Sequence, residues 1–277
     1  CAGAGVADGV VNVVTGFGAP AGSALSSHAD IDTITFTGSV PTGQTIMKQA
    51  ADTVTPVTLE LGGKNPAVVF PDADLEAAAQ WIDRAIFTNA GQVCSAADRV
   101  VVHESVHDEL VDRLIARADA YELGPGLDDP DMGPLASRDQ FEKVSQYVEL
   151  GKREGATLVT GGSAPDRQGY FFEPTIFTDV APDTRIAHEE IFGPVLAVTS
   201  FETEQEALEI ANGVEYGLVS GVFTADVTRA HRVARELEAG NVYVNMWFGD
   251  TNQTPFGGYK QSGIGREKGM EALDSYL

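Results

Sequence analysis

Cys94 closes the segment Phe87-Thr88-Asn89-Ala90-Gly91-Gln92-Val93-Cys94-Ser95, where Asn89 and Gly91 end a helix and present the thiol in a turn. A thiol in such a turn can act as a nucleophile once ionised; free cysteine ionises only near pH ~8.5, so a base or a favourable local field is needed. The same residue also fits a small buried hydrophobe, the commoner state of a free cysteine. No histidine neighbours it in sequence to suggest a Cys-His pair. Upstream, Thr58-Leu59-Glu60-Leu61-Gly62-Gly63-Lys64 sets a carboxylate at the C-terminal end of an apolar strand. Burial there raises a carboxyl pKa toward that of a working general base, whereas pairing with Lys64 or solvent leaves an ordinary strand-end charge. Between Phe36 and Gly43 the run Phe36-Thr37-Gly38-Ser39-Val40-Pro41-Thr42-Gly43 forms a strand-to-helix turn whose backbone N–H groups and helix dipole can face a phosphate. Any tight turn of this kind also uses glycine.

These groups need elements to carry them. The β-branched run at residues 9–15 predicts a buried strand that enters the loop Gly16-Phe17-Gly18. A helix over 21–28, a strand over 33–37, a turn over 38–43, a helix over 42–51 and a strand over 54–61 follow. Strands alternating with helices of this length imply a parallel sheet covered on both faces, with its ligand at the C-terminal strand ends. Past Gly62-Gly63 a second series begins, with strands at 67–70 and 99–103, helices at 75–89 and 106–120, and a Gly-, Pro- and Asp-rich loop at 124–134. It continues through a helix at 137–154, Gly-rich loops around Gly161 and Gly169, strands at 175–178 and 195–201, and a helix at 204–212. A strand at 220–223, a helix at 227–237 and a strand at 241–245 complete it. The fold class is α/β, with a second domain starting near Gly63.

Composition narrows the function. Eighteen basic against 41 acidic residues give a net charge of -23, which excludes attraction to nucleic acid or anionic lipid. Acidic side chains are spread over helical surfaces (Asp72, Asp74, Glu76, Glu202, Glu204, Glu206, Glu209), a pattern that points to halophilic adaptation, with an ordinary acidic protein as the alternative. The apolar stretches are strand-sized, well short of the ~20 residues of a membrane span. Two cysteines, Cys1 and Cys94, write no disulfide framework and suit a reducing, cytoplasmic interior. With no initiator Met or signal sequence, the chain reads as a fragment.

Further motifs join the three segments: Glu189-Glu190-Ile191-Phe192-Gly193-Pro194, Glu215-Tyr216-Gly217-Leu218, Pro255-Phe256-Gly257-Gly258-Tyr259-Lys260-Gln261-Ser262-Gly263, and Gly265-Arg266-Glu267. In order and spacing the set resembles the aldehyde dehydrogenase superfamily, nearly end to end. The resemblance implies part of a Rossmann-type nucleotide-binding domain (1–62), an α/β catalytic domain with a largely parallel sheet (63–260) and a return segment toward the cofactor domain (261–277). It implies NAD or NADP as cofactor, a small aldehyde as substrate, no metal, and a homodimeric or homotetrameric parent. Cys94 would attack the aldehyde carbon, Glu60 would serve as base for the thiol and later for water, and Glu267 would relay the proton outward. Presence of the Glu60 base favours hydrolytic members over those that acylate coenzyme A. Glu190 would hold the nicotinamide ribose and Phe192 pack beside the nicotinamide, with surface charge and core aromatic as their plain alternatives. Gly18, Gly22, Phe36, Gly38 and Ser39 match the adenosine and pyrophosphate cradle, Leu61 and Gly62 the nicotinamide end, and Gln140 and Lys143 positions near the adenine ribose. Trp81, Phe87, Trp247 and Phe248 are candidates for the substrate tunnel or, equally, for the core. Family members carry further sequence before the position of Cys1, including a Pro-Trp-Asn segment whose Asn donates to the oxyanion, and an oligomerisation strand beyond Leu277. The competing readings are a cysteine-dependent hydrolase or acyltransferase without redox chemistry, and a non-catalytic member of the fold.

Overall fold

The computed structural model describes residues 2–249 and 251–277; Cys1, one of the two cysteines noted above, lies outside them. Two sheets divide the chain near Gly62. In the first, β1 (Ile34–Thr37) runs parallel to β2 (Val57–Glu60), and β12 (Gly263–Ile264) returns antiparallel on the other side of β2. Helices α1 (Ser23–Ser26) and α2 (Val40–Ala51) belong to this part. Helix α2 begins two residues earlier than the predicted 42, inside the expected turn. Ser39 precedes it in extended conformation and Pro41 sits in the first turn, where its missing N–H removes no helical hydrogen bond.

The expected strand at 9–15 does not form. Val10, Val11, Val13 and Val14 are exposed, and no strand among the described residues pairs with the outer edge of β1. A β-branched run becomes a strand only where a ladder neighbour takes its N–H and C=O groups, and here none does. Residues 21–28 form a helix only as α1, behind a π-helical turn at Gly18–Gly22. Strand β2 starts at Val57, three residues after the predicted 54, because Val54 sits at φ 57 in the left-handed region and cannot join a ladder.

The second sheet has seven strands in the order β10-β9-β3-β4-β7-β6-β5, all parallel except β5 against β6. These are β3 (Pro66–Val69), β4 (Arg99–His103), β5 (Thr157–Thr160), β6 (Thr175–Thr178), β7 (Val195–Phe201), β9 (Val219–Phe223) and β10 (Asn241–Val244). A small ribbon pairs β8 (Tyr216–Gly217) with β11 (Tyr259–Lys260). Strand β5 lies where only Gly-rich loops are predicted; four residues at a sheet edge, with a register shift between Leu158 and Thr160, leave too little alternation to read.

Both faces of the large sheet are covered, as the near-continuous apolar strands require. On one face Ala67, Val69, Val100 and Val102 pack beneath α3 (Leu75–Phe87), α4 (His107–Ala118) and α5 (Arg138–Arg153). On the other, Val68, Phe70, Val101 and Phe201 meet α7 (Glu204–Asn212) and α8 (Val227–Glu236). Helix α3 leads into the loop that carries Cys94. Asp74 caps it by accepting from Ala77 N at 3.0 Å, and Ala78, Ala79, Ile82, Ala85 and Ile86 recur at helical spacing on its buried face. The helix stops at Phe87, two residues before the predicted Asn89, since Asn89 and Ala90 adopt left-handed φ of 53 and 54.

Candidate active site

Glu60 is the last residue of β2, paired in register with Thr37 on one side and Gly263 on the other. Its side chain is only 3% exposed, and neither carboxylate oxygen has a hydrogen-bond partner. Burial therefore pushes its pKa up to about 8; the neighbouring charge of Glu267 adds to the rise, and Arg266 and Lys268 partly offset it. Lys64 does not pair with Glu60. Its ammonium is fully buried 3.0 Å from Asp98 Oδ2, with its own pKa lowered by burial and partly restored by Asp98.

The loop that follows α3 passes from the left-handed Asn89 and Ala90 through Gly91 to Cys94. Gly91 is at φ 71, and a Cβ on it would stand 2.0 Å from the carbonyl oxygen of Gly193. Only glycine lets this loop lie against the segment that carries Glu190 and Phe192. Cys94 is a half-buried free thiol. Burial pushes its pKa up to about 11, the charges of Glu60 and Glu190 add to this, and the N–H groups of Ser95 and Cys94 itself pull it back. Cys94 at rest is a thiol, so its ionisation depends on a base beside it.

Cys94 and Glu60 line one cavity of about 500 Å³. Leu61 and Gly62 line it next to Glu60 in the chain, and Gly38 and Ser39 bring in the segment that starts α2. Glu190, Phe192, Gln140 and Lys143 also line it. Glu190 Oε1 accepts from Gly63 N at 3.0 Å, and a Cβ on Gly62 would meet Glu190 Oε2 at 2.7 Å. Burial raises the pKa of Glu190, an effect that the Gly63 hydrogen bond opposes. Phe192 takes a left-handed φ of 59, and Gln140 Nε2 holds that turn by donating to the carbonyls of Ile191 (2.9 Å) and Phe192 (2.7 Å). Lys143 is half-buried with its pKa lowered by desolvation.

A second cavity of about 750 Å³ is lined by Gly18, Gly22 and Phe36, together with Pro41 and Thr42. The turn from Phe36 to Thr42 thus faces both cavities. Gln140 and Lys143 line the cavity of Cys94 and Glu190, together with Gly38 and Ser39, and not the one lined by Gly18, Gly22 and Phe36. Glu267 lines neither cavity. It exchanges two 2.7 Å backbone hydrogen bonds with Phe256, which keeps its charge close enough to raise Glu60.

Two of the tunnel candidates belong to the core. Phe87 is fully buried edge-on to Tyr121, and Trp247 is fully buried with its indole N–H donating to Ser95 O at 2.8 Å. Sequence reasoning missed Asn65, Asp98 and Ser262. Ser262 ties the loop after β2 to strand β8 of the ribbon by donating to Gly62 O at 2.7 Å while accepting from Gly217 N at 2.9 Å. The polar pair Lys64-Asn65 between two apolar strands was the available signal, since such residues are buried only when paired. Among the described residues no group of three or more His, Cys, Asp or Glu could hold a metal ion.

The aldehyde dehydrogenase family model matches residues 1–277. The chain is 50% identical over 276 residues to aldehyde dehydrogenase 1 of Tanacetum cinerariifolium, covering 99% of this chain and 55% of that protein. It is also 50% identical over 278 residues to a betaine aldehyde dehydrogenase of Brucella anthropi, covering 99% and 57%. Among solved structures, the NAD+ complex of aldehyde dehydrogenase from Bacillus cereus superposes with a TM-score of 0.97 at 49% identity, over 99% of this chain and 56% of that one. Betaine aldehyde dehydrogenase from Staphylococcus aureus with NAD+ gives 0.93 at 46% identity, over 95% and 53%. The chain spans about half the length of the curated relatives it matches.

Proposed function

Since the chain belongs to the aldehyde dehydrogenase family, we propose that the whole protein oxidises an aldehyde to a carboxylic acid with NAD+ or NADP+, through a covalent intermediate on Cys94. The observation that carries this is the opening of a buried, unpartnered carboxylate and a free thiol onto one cavity. Glu60, poised near pH 8, accepts the Cys94 proton, and the thiolate attacks the aldehyde carbon to give a thiohemiacetal. The N–H groups of Ser95 and Cys94, which lower the thiol pKa, favour the thiolate once its proton has left. A nicotinamide dinucleotide, when bound, supplies the hydride acceptor. Glu60 first passes the thiol proton outward to Glu267; water then hydrolyses the thioacyl group on Cys94, with the emptied Glu60 taking the water proton and releasing it by the same route.

The residues present fit such a dinucleotide. Its two halves match the two cavities, and the turn between them offers the N-terminus of α2 to a pyrophosphate. In this reading Gly18, Gly22 and Phe36 take the adenosine end, and Gly38 and Ser39 the pyrophosphate. Leu61, Gly62, Glu190 and Phe192 take the nicotinamide riboside, with Gln140 bracing Phe192 and Lys143 beside Glu190. Residues 1–62 and 261–277 then make up the cofactor side and 63–260 the catalytic domain. We further read the protein as cytoplasmic, a homodimer or homotetramer, and adapted to salt by its net charge of -23; no helix among the described residues is long and apolar enough to cross a membrane. The test is formation of reduced nicotinamide by the full-length protein across a panel of aldehydes, with Cys94→Ser as control. Turnover is expected only in the parent, and undiminished turnover in a folded Cys94→Ser variant would remove the proposal.

A further inference from the structure

The segment Glu60-Leu61-Gly62-Gly63-Lys64-Asn65 carries the base at one end and, at the other, a side chain that the chemistry above does not use. Asn65 is 2% exposed at the entry to β3, and all of its polar groups are engaged. Its Nδ2 donates to the carbonyl oxygens of both Cys94 (2.9 Å) and Ala96 (2.8 Å). Its Oδ1 accepts from Val219 N at 3.0 Å, and its own N–H donates to Asp98 Oδ1 at 2.9 Å. Gly63 presses on the same loop, since a Cβ there would lie 2.4 Å from the Cys94 carbonyl oxygen. The Lys64–Asp98 ion pair, 3.0 Å, pins the segment from the other side.

We infer that Asn65 is a positioning residue that fixes the nucleophile turn against the strand end carrying Glu60, and so sets how strongly the Cys94 thiol and the Glu60 carboxylate act on each other. The inference rests on the roles proposed for those two residues. A carboxamide suits the position because one NH2 group can bridge two carbonyls of a single turn while its oxygen ties to β9. Aspartate would oppose those carbonyls with a charge, serine offers a single donor, and alanine offers none. The covalent path from Asn65 back to Glu60 is short and buried, so the clamp on Cys94 O is also a constraint on the thiol-to-carboxylate distance.

The experiment uses the full-length protein carrying Asn65→Ala, Asn65→Ser or Asn65→Asp, with thermal melting to establish folding. The first readout is steady-state aldehyde oxidation. Asn65→Ala is expected to lower kcat on the order of 10²-fold, as misplacement of a reacting group by about 1 Å can do, while the cofactor KM changes less than about threefold. Serine should recover part of the loss and aspartate none. The second readout needs no dehydrogenase activity: the pH profile of Cys94 alkylation by iodoacetamide, with and without Glu60→Gln, in the parent and Asn65→Ala backgrounds. The effect of Glu60→Gln on that profile should shrink at least about threefold when Asn65 is absent, as expected for residues coupled through a shared contact. No aldehyde oxidation by the parent, with this coupling intact, would count against the proposed function and leave the clamp standing. A folded Asn65→Ala with kcat within about twofold of the parent and an unchanged coupling would overturn the inference. If Asn65→Ala does not fold, Asn65→Ser decides by the same readouts, and failure of serine to fold would assign Asn65 to the fold alone and likewise overturn it.

Discussion

Replacing Glu60 by glutamine separates two effects that the buried carboxylate has on Cys94. In the proposed mechanism it removes the thiol proton as a base; as a charge it helps hold the thiol pKa up at about 11. At pH ~8 a thiol with that pKa is ionised to about one part in a thousand, so attack depends on the base. Loss of a positioned general base costs on the order of 10²–10⁴ in rate, and Glu60→Gln should lower kcat/KM for aldehyde oxidation within that range. The intrinsic ionisation of Cys94 should become easier at the same time, because a repelling charge has gone. Iodoacetamide alkylation followed against pH should therefore move to lower pH in the variant while turnover falls. A stability change accompanies it. The folded pKa of Glu60, about 8, lies above its ordinary value of 4.5, so the protonated form is the one the fold favours. The stabilisation is fully present below the ordinary value, declines as pH rises, and is gone above about 8, a span of about 5 kcal/mol. Glutamine is neutral throughout, so urea melts should show the variant more stable than the parent at pH ~9 and much closer to it at pH ~5. An alkylation profile that stays in place or moves to higher pH, with parent and variant equally stable at both pH values, would refute the reasoning.

Trp247→Phe removes the indole N–H and leaves the buried Ser95 carbonyl without that donor next to the nucleophile. Urea unfolding should show a loss of roughly 1–3 kcal/mol, accompanied by a fall in kcat; a variant as stable and active as the parent would show that the hydrogen bond contributes little. The net charge of -23 predicts that molar potassium chloride raises the melting temperature, through screening of self-repulsion. Equal melting temperatures in dilute buffer and in molar salt would contradict the salt-adapted reading.

The long periodic segments were legible because both faces of the sheet are buried. Residues 99–103, 175–178, 195–201 and 204–212 carry enough apolar pattern, bounded by Asp, Glu, Pro, Thr or Gly, to fix both ends of each element, and all four form as expected. Valines 10–14 misled because β-branching reports only the capacity to join a ladder, and the neighbouring strand is not present among the described residues. Cys94 and Glu60 were visible as residue types at element ends, and their segments supplied the resemblance. Their opening onto one cavity was not visible, since it depends on Gly91 packing on Gly193 and Gly62 on Glu190, contacts between segments far apart in sequence. Asn65, Asp98 and Ser262 escaped notice for the same reason: a buried polar side chain is recognised by its partners, and those lie on segments far apart in sequence.

The most direct test of the account is to mix the full-length protein with aldehyde and NAD+, quench with acid within the first turnover, and map the acyl group by peptide mass spectrometry. A thioester on the peptide that contains Cys94, appearing with reduced nicotinamide and decaying as carboxylic acid is released, is the predicted result. Reduced nicotinamide forming at full rate with Cys94 unmodified, or with the acyl group on another residue, would contradict it.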